Sequence, residues 1–436
     1  NTDGLSTIAY SRTVNGNTFN NWTGGTNTIT VMSYSYWGGT TSTLNSNTIT
    51  NITGQGAITA INIGSSGNAA NPLTIRTNTI NNISSTGTGG SVTGITCSNT
   101  SPAVNINSNT INTLSSTGVS NITGISTSGT AATHNIFANK IYDLSGSNAS
   151  GAVFGITVAS GTTVSVYNNL IGDLRTPAGN SAESIRGINI TSATASSTVN
   201  VSFNTVYLNA TSSGALFGTT GVFHTASATS STATLNLRNN IIVNTSTPQG
   251  AGLIVAYRRS SGAAGTLANY GAASNNNLFY AGTPGAGNVI YSDGTSTAQT
   301  MAAYKAGVFT AGTIAPRDNV SVTENPPFLS TTGANANFLH IDPSVATQVE
   351  SGAVAIGGIT DDYDGDVRNV TTPDIGADEG SFTLADISGP GISYTAFGNT
   401  ACLLDRTLSP VTITDASGVN TTAGTRPRLY YKKSGD

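Results

Sequence analysis

Two aspartates hold the same position in consecutive sequence repeats and are the best candidates for acid–base chemistry. Asp143 and Asp173 are 30 residues apart (173 − 143 = 30), and Arg175 follows closely. Carboxylates whose backbones lie about 5 Å apart can share a proton or bind a cation, and carboxylate pairs serve in polysaccharide-cleaving enzymes. Asn82 and Thr113 hold the equivalent position in earlier repeats, which indicates a solvent-facing turn. We therefore assign no catalytic residue from the sequence.

A denser group of acidic residues follows residue 360. The alternating acids in its first part are Asp362, Asp364 and Asp366. Alternating oxygen ligands are typical of Ca²⁺ loops, but the later positions and the terminal glutamate of an EF-hand are missing. The simpler interpretation is a closing segment in which Arg368 pairs with Asp374 or Glu379 and fixes the last coil. Ca²⁺ at the three alternating acids is the alternative, and no other metal or cofactor is predicted.

The three histidines do not form a catalytic or metal-binding pattern. His134, His224 and His340 are far apart in the chain. His134 takes a strand position that is apolar in other repeats, which predicts a core residue rather than a ligand or base. Glu183 and Arg186 stand in what we expect to be a longer loop, where a surface ion pair contributes little.

All of these residues are placed by a repeat of about 30 residues. Its best-defined copies carry marker asparagines separated by 31, 31, 30 and 30 residues: Asn47, Asn78, Asn109, Asn139 and Asn169. A fainter copy precedes them at Asn17, and looser copies follow at Asn204 and Asn240. A period of this size is the signature of stacked structural repeats.

Apolar residues recur at fixed distances from each marker. Ile, Val or Leu stands three residues before it, and two residues after it the best-defined copies carry Ile49, Ile80, Ile111, Ile141 and Ile171. Apolar and polar residues alternate around the first of these positions, and a period of two predicts β-strands. Another strand in each unit carries a shared Gly-Ile, as in Gly94-Ile95. Nothing in the unit has the period of a helix.

The repeat predicts an all-β solenoid in which each unit is one coil. Like residues stack about 4.8 Å apart, so the isoleucines form an internal column and neighbouring coils bury each other's apolar faces. We expect the marker asparagines to form a buried ladder, in which each side-chain amide bonds to the next coil and to the turn backbone. The alternative interpretation of such Asn-containing sequences is an N-glycosylation acceptor, as at Asn51-Ile-Thr53.

Composition narrows the classes of function. Only 8% of the 436 residues are charged and the net charge is −4, so no basic face for nucleic acid is predicted. No apolar run reaches the roughly 18 residues of a membrane helix, so no membrane insertion is expected. Cys97 and Cys402 are far apart and are not expected to form a disulfide. The chain starts at Asn1 without a signal peptide, and we interpret it as a processed or partial piece of a longer secreted chain.

The repeat divides the chain into two predicted domains. Residues 1–382 form the parallel β-helix, with regular coils at about 14–245 and irregular coils and the closing segment at 246–382. Within the irregular part, residues 297–308 are the one plausible helix, and coil-like strands are expected to resume to about residue 354. Residues 383–436 contain alternating patterns, as at 410–415 and 428–432, which predict the start of an incomplete Ig-like β-sandwich.

The end of the predicted β-helix resembles a known family. The motifs are Asp364-Gly-Asp-Val-Arg368 and Pro373-Asp-Ile-Gly-Ala-Asp-Glu379. They are similar to the segment that closes the solenoid in pectate-lyase-like, right-handed parallel β-helix proteins, found in large surface proteins of Bacteroidetes-type bacteria. The resemblance implies that the closing residues are Asp364, Asp366, Arg368, Asp374 and Glu379. It also implies a following Ig-like module, export by the type IX secretion route, and a function as an adhesin or surface fibre.

Two functions from different classes are compatible with these observations. The first is a non-enzymatic structural or adhesive module of a large secreted or cell-surface bacterial protein, within an extracellular fibre or beside neighbouring domains and subunits. The unbroken repeat and the few ionisable groups favour it. The second is a polysaccharide-binding or polysaccharide-cleaving β-helix, which needs a groove with exposed aromatic residues and several acids on one sheet. Tyr142, Tyr167 and Tyr207 lie near predicted coil turns and are the candidates for stacking on sugars.

Overall fold

The chain folds as an all-β solenoid of about eight turns, which confirms the predicted fold class. A computed structural model describes residues 11–35, 42–64, 72–98, 103–129, 133–261, 267–307, 314–387, 390–396, 398, 407–415, 418–424 and 426–428. Consecutive coils pair through parallel strands, and each coil contributes to three sheets, which we call A, B and C.

The strands of each sheet follow one another in stacking order. Sheet A contains Thr13–Asn15, Ser42–Asn45, Leu73–Arg76, Ala103–Asn107, Thr133–Phe137, Thr163–Tyr167, Thr198–Ser202 and Thr234–Arg238. Sheet B contains Thr18–Thr23, Thr48–Gly54, Thr79–Ser85, Thr110–Ser116, Lys140–Gly146, Leu170–Gly172 with Leu174–Arg175, Thr205–Leu208, Ile241–Asn244 and Leu278–Tyr280. Sheet C contains Ile29–Tyr34, Ile58–Ile63, Val92–Cys97, Ile122–Thr127, Val153–Val158, Ser181–Ile190, Phe217–His224, Ile254–Arg259, Asn288–Ser292 and the antiparallel Thr297–Ala298.

Strand pairing places like residues above like residues. In sheet B, Ile80 pairs with Ile111, Ile111 with Ile141, and Ile141 with Ile171, and all four are fully buried. This is the internal column that the repeat predicts. The glycine of the shared Gly-Ile makes room for it, because a Cβ on Gly124 would lie 2.8 Å from Cγ2 of Ile141.

Each coil bends at two fixed points where residues adopt left-handed backbone conformations. At the turn between sheets A and B, φ is between 51° and 59° at Ser46, Thr77, Ser108, Ala138, Asn168, Phe203, Asn239 and Asn276. Within sheet B, the second column has φ between 50° and 60° at Asn21, Asn51, Asn82, Thr113, Asp143 and Asp173. Asn and Asp tolerate this conformation better than most residues, which accounts for their frequency in the second column.

Buried tyrosines close the C-terminal end of the core. The ring centroids of Tyr291 and Tyr304 are 5.3 Å apart, and Tyr257 packs against Tyr291 at 5.8 Å. Tyr304 lies on the helix Met301–Lys305, which is shorter than the predicted 297–308 because residues 297–298 form a strand and the Thr300 side chain caps the helix. Position 308 lies outside the described residues.

Residues 322–382, which we call the strap, leave the stack and lie along the outer face of sheet B. Coil-like strands were expected as far as residue 354, and this prediction is wrong, since the strap carries only isolated bridges and the two-residue strands Ala346–Thr347 and Thr383–Leu384 at its end. Phe338 packs against the Tyr142 ring, with centroids 5.9 Å apart. It covers Gly172, where a Cβ would lie 2.9 Å from the Phe338 ring.

The outer face of sheet B changes composition where the strap covers it. The residue after the marker asparagine is Thr48, Thr79 and Thr110 in three coils that the strap does not cover. In the covered coils it is Lys140, Leu170, Thr205, Ile241 and Leu278, of which three are large and apolar. The last two pack with strap residues that include Ile341, Val349 and Ile375. Burial of these side chains holds the strap in place, at about 1.5–3 kcal/mol for each large apolar residue.

Residues 384–436 form a second compact unit. In its described part, Gly391–Tyr394 pairs antiparallel with Val411–Thr414, so the pattern at 410–415 does form a strand. Cys402 and the predicted strand at 429–432 lie outside the described residues, whereas Cys97 is fully buried in the solenoid core. Among the described residues, no helix has the length and apolar character needed to cross a membrane.

Candidate functional site

The marker asparagines form a hydrogen-bonded ladder along the turn between sheets A and B. Each of Asn47, Asn78, Asn109, Asn139 and Asn169 donates both its backbone N–H and its Nδ2 to Oδ1 of the next asparagine, at 2.8–3.1 Å. Nδ2 also donates to a sheet A carbonyl of the preceding coil at 2.8–3.0 Å. The ladder continues in both directions through Asn17, Asn204, Asn240 and Asn277.

Asp318 receives the last hydrogen bond of this ladder. Nδ2 of Asn277 donates to Asp318 Oδ1 at 3.0 Å, and its backbone N–H donates to Ser321 Oγ at 2.9 Å. The hydroxyls of Tyr270 and Tyr304 donate to Asp318 Oδ2 at 2.6 and 2.7 Å. Because every ladder amide donates toward this end, the positive ends of the aligned dipoles face the carboxyl group, as at a helix N-terminus. Burial raises the pKa of Asp318, while these hydrogen bonds oppose the rise.

Asp143 and Asp173 do lie on neighbouring coils, but one arginine neutralises both. Arg175 contacts Asp173 at 2.9 Å and also contacts Asp143, and Thr113 Oγ1 donates to Asp143 at 2.8 Å. Burial raises the pKa of Asp173, and Arg175 opposes that rise. Both aspartates occupy the left-handed column within sheet B, so the pair belongs to an ion-paired turn.

Glu183 and Arg186 form the expected ion pair, but the expected loop is a strand. Both residues lie in Ser181–Ile190 of sheet C. The Arg186 guanidinium lies 3.6 Å from the Phe223 ring centroid, and Arg258 approaches Glu183 at 3.6 Å. The pair is therefore a half-buried part of the outer face of sheet C.

Two of the three histidines belong to the core. His134 is fully buried between Val104 and Val164 in sheet A, and burial lowers its pKa to about 4. His224 is fully buried and its Nε2 lies 3.0 Å from the Ala233 carbonyl oxygen, and burial lowers its pKa to about 3. Both are neutral imidazoles at physiological pH, in positions without access for a substrate.

The closing-segment residues hold the strap against the turn between sheets A and B. Arg368 Nη1 contacts Glu379 at 3.0 Å, and these side chains are only 3% and 8% exposed. Arg368 Nη2 donates to Asn168 Oδ1 at 3.0 Å, and the guanidinium lies 4.0 Å from the Phe203 ring centroid. Arg368 thus contacts the turns of the sixth and seventh coils. Asp374 accepts hydrogen bonds from the backbone N–H groups of residues 351 and 380, at 2.7 and 2.9 Å.

Asp362 organises the loop of alternating acids in which Ca²⁺ binding is the alternative prediction. Its Oδ1 accepts the backbone N–H groups of Asp364, Gly365 and Asp366 at 2.8–2.9 Å. Its Oδ2 accepts the N–H of Glu379 at 3.0 Å. Ca²⁺ at the three alternating acids stays a prediction. Both carboxylate oxygens of Asp362, the first of these acids, already accept hydrogen bonds from N–H donors. Asp364 instead contacts His340 at 2.6 Å, a pairing that the sequence separation of 24 residues concealed.

A groove of about 380 Å³ crosses the outer face of sheet A and is the candidate binding site. Its floor consists of half-buried amide and hydroxyl side chains stacked on consecutive coils, namely Asn135, Ser165, Asn200 and Asn236. The strap loop at 356–359, Tyr167 and Arg238 also line the groove. The groove therefore combines hydrogen-bonding groups, an aromatic ring and a cation in one elongated surface.

Tyr167 and Arg238 supply the aromatic ring and the cation of this groove. Tyr167 stacks on Phe137 at a centroid distance of 4.7 Å with ring planes 2° apart, and the small Ser202 pairs with it on the other side. Arg238 Nε is buried without a hydrogen-bond partner among the described residues. Tyr142 and Tyr207, the other predicted sugar-stacking residues, pack against Phe338 and Phe328 of the strap.

Comparison with protein-family models, curated proteins and solved structures finds no match for this chain.

Proposed function

We propose that this chain is a non-enzymatic structural and adhesive module, the stiff solenoid part of a large secreted or cell-surface bacterial protein. The observation that carries the proposal is the asparagine ladder, which joins nine asparagines from Asn17 to Asn277 and ends on Asp318. Every coil is joined to the next by this ladder and by the three sheets, so the coils resist separation together. The resemblance of the closing segment supports placement in an extracellular fibre, with an Ig-like module following and type IX secretion as the export route.

The placement of the acidic residues supports a structural role over a catalytic one. Among the described residues, Asp143 and Asp173 share Arg175, and Glu183 is paired with Arg186. Glu379 is paired with Arg368. General acid–base catalysis on a polysaccharide needs a carboxylic acid and a second carboxylate flanking the scissile bond, and these ion-paired carboxylates are poorly suited to that role.

Protease treatment of intact source cells tests the placement at the surface. We expect peptides from the solenoid or the second unit to be released from intact cells and identified by mass spectrometry. A cytoplasmic marker protein, which must stay uncleaved, is the control for lysis. Recovery of this chain only after cells are broken would contradict the proposal.

The groove on sheet A favours a second function, the binding of an acidic polysaccharide. Stacking of a sugar ring on Tyr167 and hydrogen bonds from the amide floor would hold the backbone of the glycan. Arg238 would pair with a uronate or sulfate group, since a guanidinium matches such anions in geometry and charge. This function is compatible with the first, because an adhesive module needs a surface that holds a ligand.

A glycan array followed by calorimetry with the best acidic oligosaccharide tests this function. We expect Tyr167→Ala and Arg238→Gln each to weaken binding at least about tenfold, the equivalent of 1.4 kcal/mol. Arg76→Gln is the matched control, because Arg76 occupies the same column of sheet A five coils earlier and lies outside the groove. Equal loss in all three variants, or no retained glycan, would refute the assignment. Shortening of the glycan during incubation would show that the groove is catalytic.

A further inference from the structure

We propose that His340, Asp364 and Asp378 form a binding site for a divalent transition-metal ion, such as Zn²⁺ or Mn²⁺, that fastens the strap. One ligand-type atom from each residue lies within 4.8 Å of the others. The three residues are separated by 24 and 14 positions (364 − 340 = 24, 378 − 364 = 14), so no spacing in the sequence indicates the site. The site is independent of the groove on sheet A and of the structural function proposed above.

His340 is oriented as a metal ligand. Its Nδ1 lies 3.1 Å from the carbonyl oxygen of Phe338, which can only accept a hydrogen bond, so Nδ1 carries the proton. Nε2 faces Asp364, 2.6 Å away, and without a metal ion the imidazole donates its second proton to this carboxylate. A metal ion that binds here would take the place of that proton. A carbonyl partner that orients the ring through Nδ1 in this way is characteristic of ligating histidines.

Asp378 provides the second, independent indication of a ligand. The residue is only 8% exposed, and one of its oxygens, Oδ2, accepts the N–H of Ile341 at 2.7 Å. Its Oδ1 has no hydrogen-bond partner among the described residues. This second oxygen can therefore serve as a metal ligand.

The donor set indicates the class of metal. One imidazole nitrogen and two carboxylate oxygens suit Zn²⁺, Mn²⁺ or Fe²⁺ better than Ca²⁺, which prefers six to eight oxygen ligands. Asp364 has a 45% exposed side chain and can therefore adjust its position to complete the coordination. The remaining positions around the ion face solvent and would be filled by water.

The location of the three ligands indicates what the ion would do. His340 follows Phe338, which packs on Tyr142 of the fifth coil, while Asp364 and Asp378 belong to the returning half of the strap. A metal ion would therefore join the two halves of the strap where they cover sheet B. We expect the bound ion to stabilise the strap selectively, with little effect on the uncovered coils.

Titration of the chelator-treated chain with Zn²⁺, Mn²⁺ and Co²⁺ tests the site. We expect one ion per chain by calorimetry, a visible absorption band for the Co²⁺ form, and slower proteolysis of the strap at saturation. His340→Gln, Asp364→Asn and Asp378→Asn should each weaken binding by more than the 10–100-fold that loss of an outer-shell partner costs. Asp364→Asn changes an exposed side chain, so it keeps the test valid if a buried variant fails to fold.

Asp342→Asn is the matched control. Asp342 lies two residues from His340, and its carboxylate is engaged by Ser344, so this variant should bind as the unmodified chain does. Absence of saturable binding of all three ions would overturn the proposal and leave a simple His340–Asp364 ion pair. Binding that is equal in the control and in the three ligand variants would overturn it as well.

Discussion

Asn139→Ala removes one rung from the middle of the ladder and tests its energetic role. Asn139 is fully buried, and its Oδ1 accepts both the backbone N–H and the Nδ2 of Asn109. Its Nδ2 donates to Asn169 and to the carbonyls of Ile106 and Phe137. Truncation leaves a buried backbone N–H and one buried amide hydrogen of Asn109 without acceptors, and it deprives two carbonyls of a donor.

The magnitude follows from these unsatisfied groups. Each buried donor left unpaired costs about 1–3 kcal/mol, so two donors predict a loss of about 4 kcal/mol in the free energy of unfolding. The matched control is Asn135→Ala in the same coil. Asn135 is half-buried and donates to Asn105 Oδ1 at 2.8 Å, and loss of this solvated contact predicts about 0.5–1 kcal/mol.

Urea unfolding followed by far-ultraviolet circular dichroism measures both variants. The shift in the urea midpoint, multiplied by the slope of the transition, gives the change in the free energy of unfolding. This conversion requires that the variants share one slope, because stacked repeats can lose two-state behaviour. We expect Asn139→Ala to lower stability by at least about 1 kcal/mol more than Asn135→Ala, which is the lower limit for two unsatisfied donors less the upper limit for the control. Equal stabilities of the two variants would refute the view that the ladder holds the coils together.

Three further predictions concern the ends of the ladder and the strap. Asp318→Ala should cost at least about 3 kcal/mol in urea unfolding, because Asn277, Tyr270 and Tyr304 lose their acceptor; an effect below 1 kcal/mol contradicts this. Burial raises the pKa of Asp374 to about 7, from about 3.9 in an unfolded chain. The folded strap therefore holds the proton more tightly, so its stability should fall as pH rises from about 4 to about 7. Hydrogen exchange of the strap measures this, and Asp374→Asn should flatten the pH dependence that this group contributes. Phe338→Ala should cost about 3–5 kcal/mol of strap stability, seen as faster proteolysis within 322–382 while the uncovered coils stay protected.

The solenoid was predictable because its coils correspond to a repeat of residue types in the sequence. The 30-residue spacing and the two-residue alternation are local, and the stacking rule converts them directly into the paired isoleucines and the asparagine ladder. The end of the ladder beyond Asn277 was harder to predict, since Asp318 and Ser321 replace the next asparagine without sharing its residue type.

The strap was not predicted because its contacts join residues far apart in the chain. Asn168 meets Asp361, and Asn239 meets Val354, and no periodicity relates such pairs. One partial signal was present: among the residues after the marker in the later coils, Leu170, Ile241 and Leu278 are apolar, although Thr205 interrupts this series. An outward strand position that becomes apolar predicts a covering segment.

The groove on sheet A depends on the strap and was therefore only partly predictable. Tyr167 was a candidate from its place near a coil turn, together with Tyr142 and Tyr207. The strap covers those two and leaves Tyr167 beside Arg238 and the loop at 356–359. The cluster of His340 with Asp364 and Asp378 arises inside the strap, where the sequence shows no repeat.

Hydrogen exchange at the backbone N–H groups of the ladder tests the central claim, that the coils stack in register as one stiff unit. The N–H groups of Asn78, Asn109 and Asn139 each donate to a buried side chain of the next coil. They should exchange together, orders of magnitude more slowly than the N–H of residues in the outlying loops, and at a common opening free energy. Exchange of these three amides within seconds, or at unrelated rates in adjacent coils, would contradict the account.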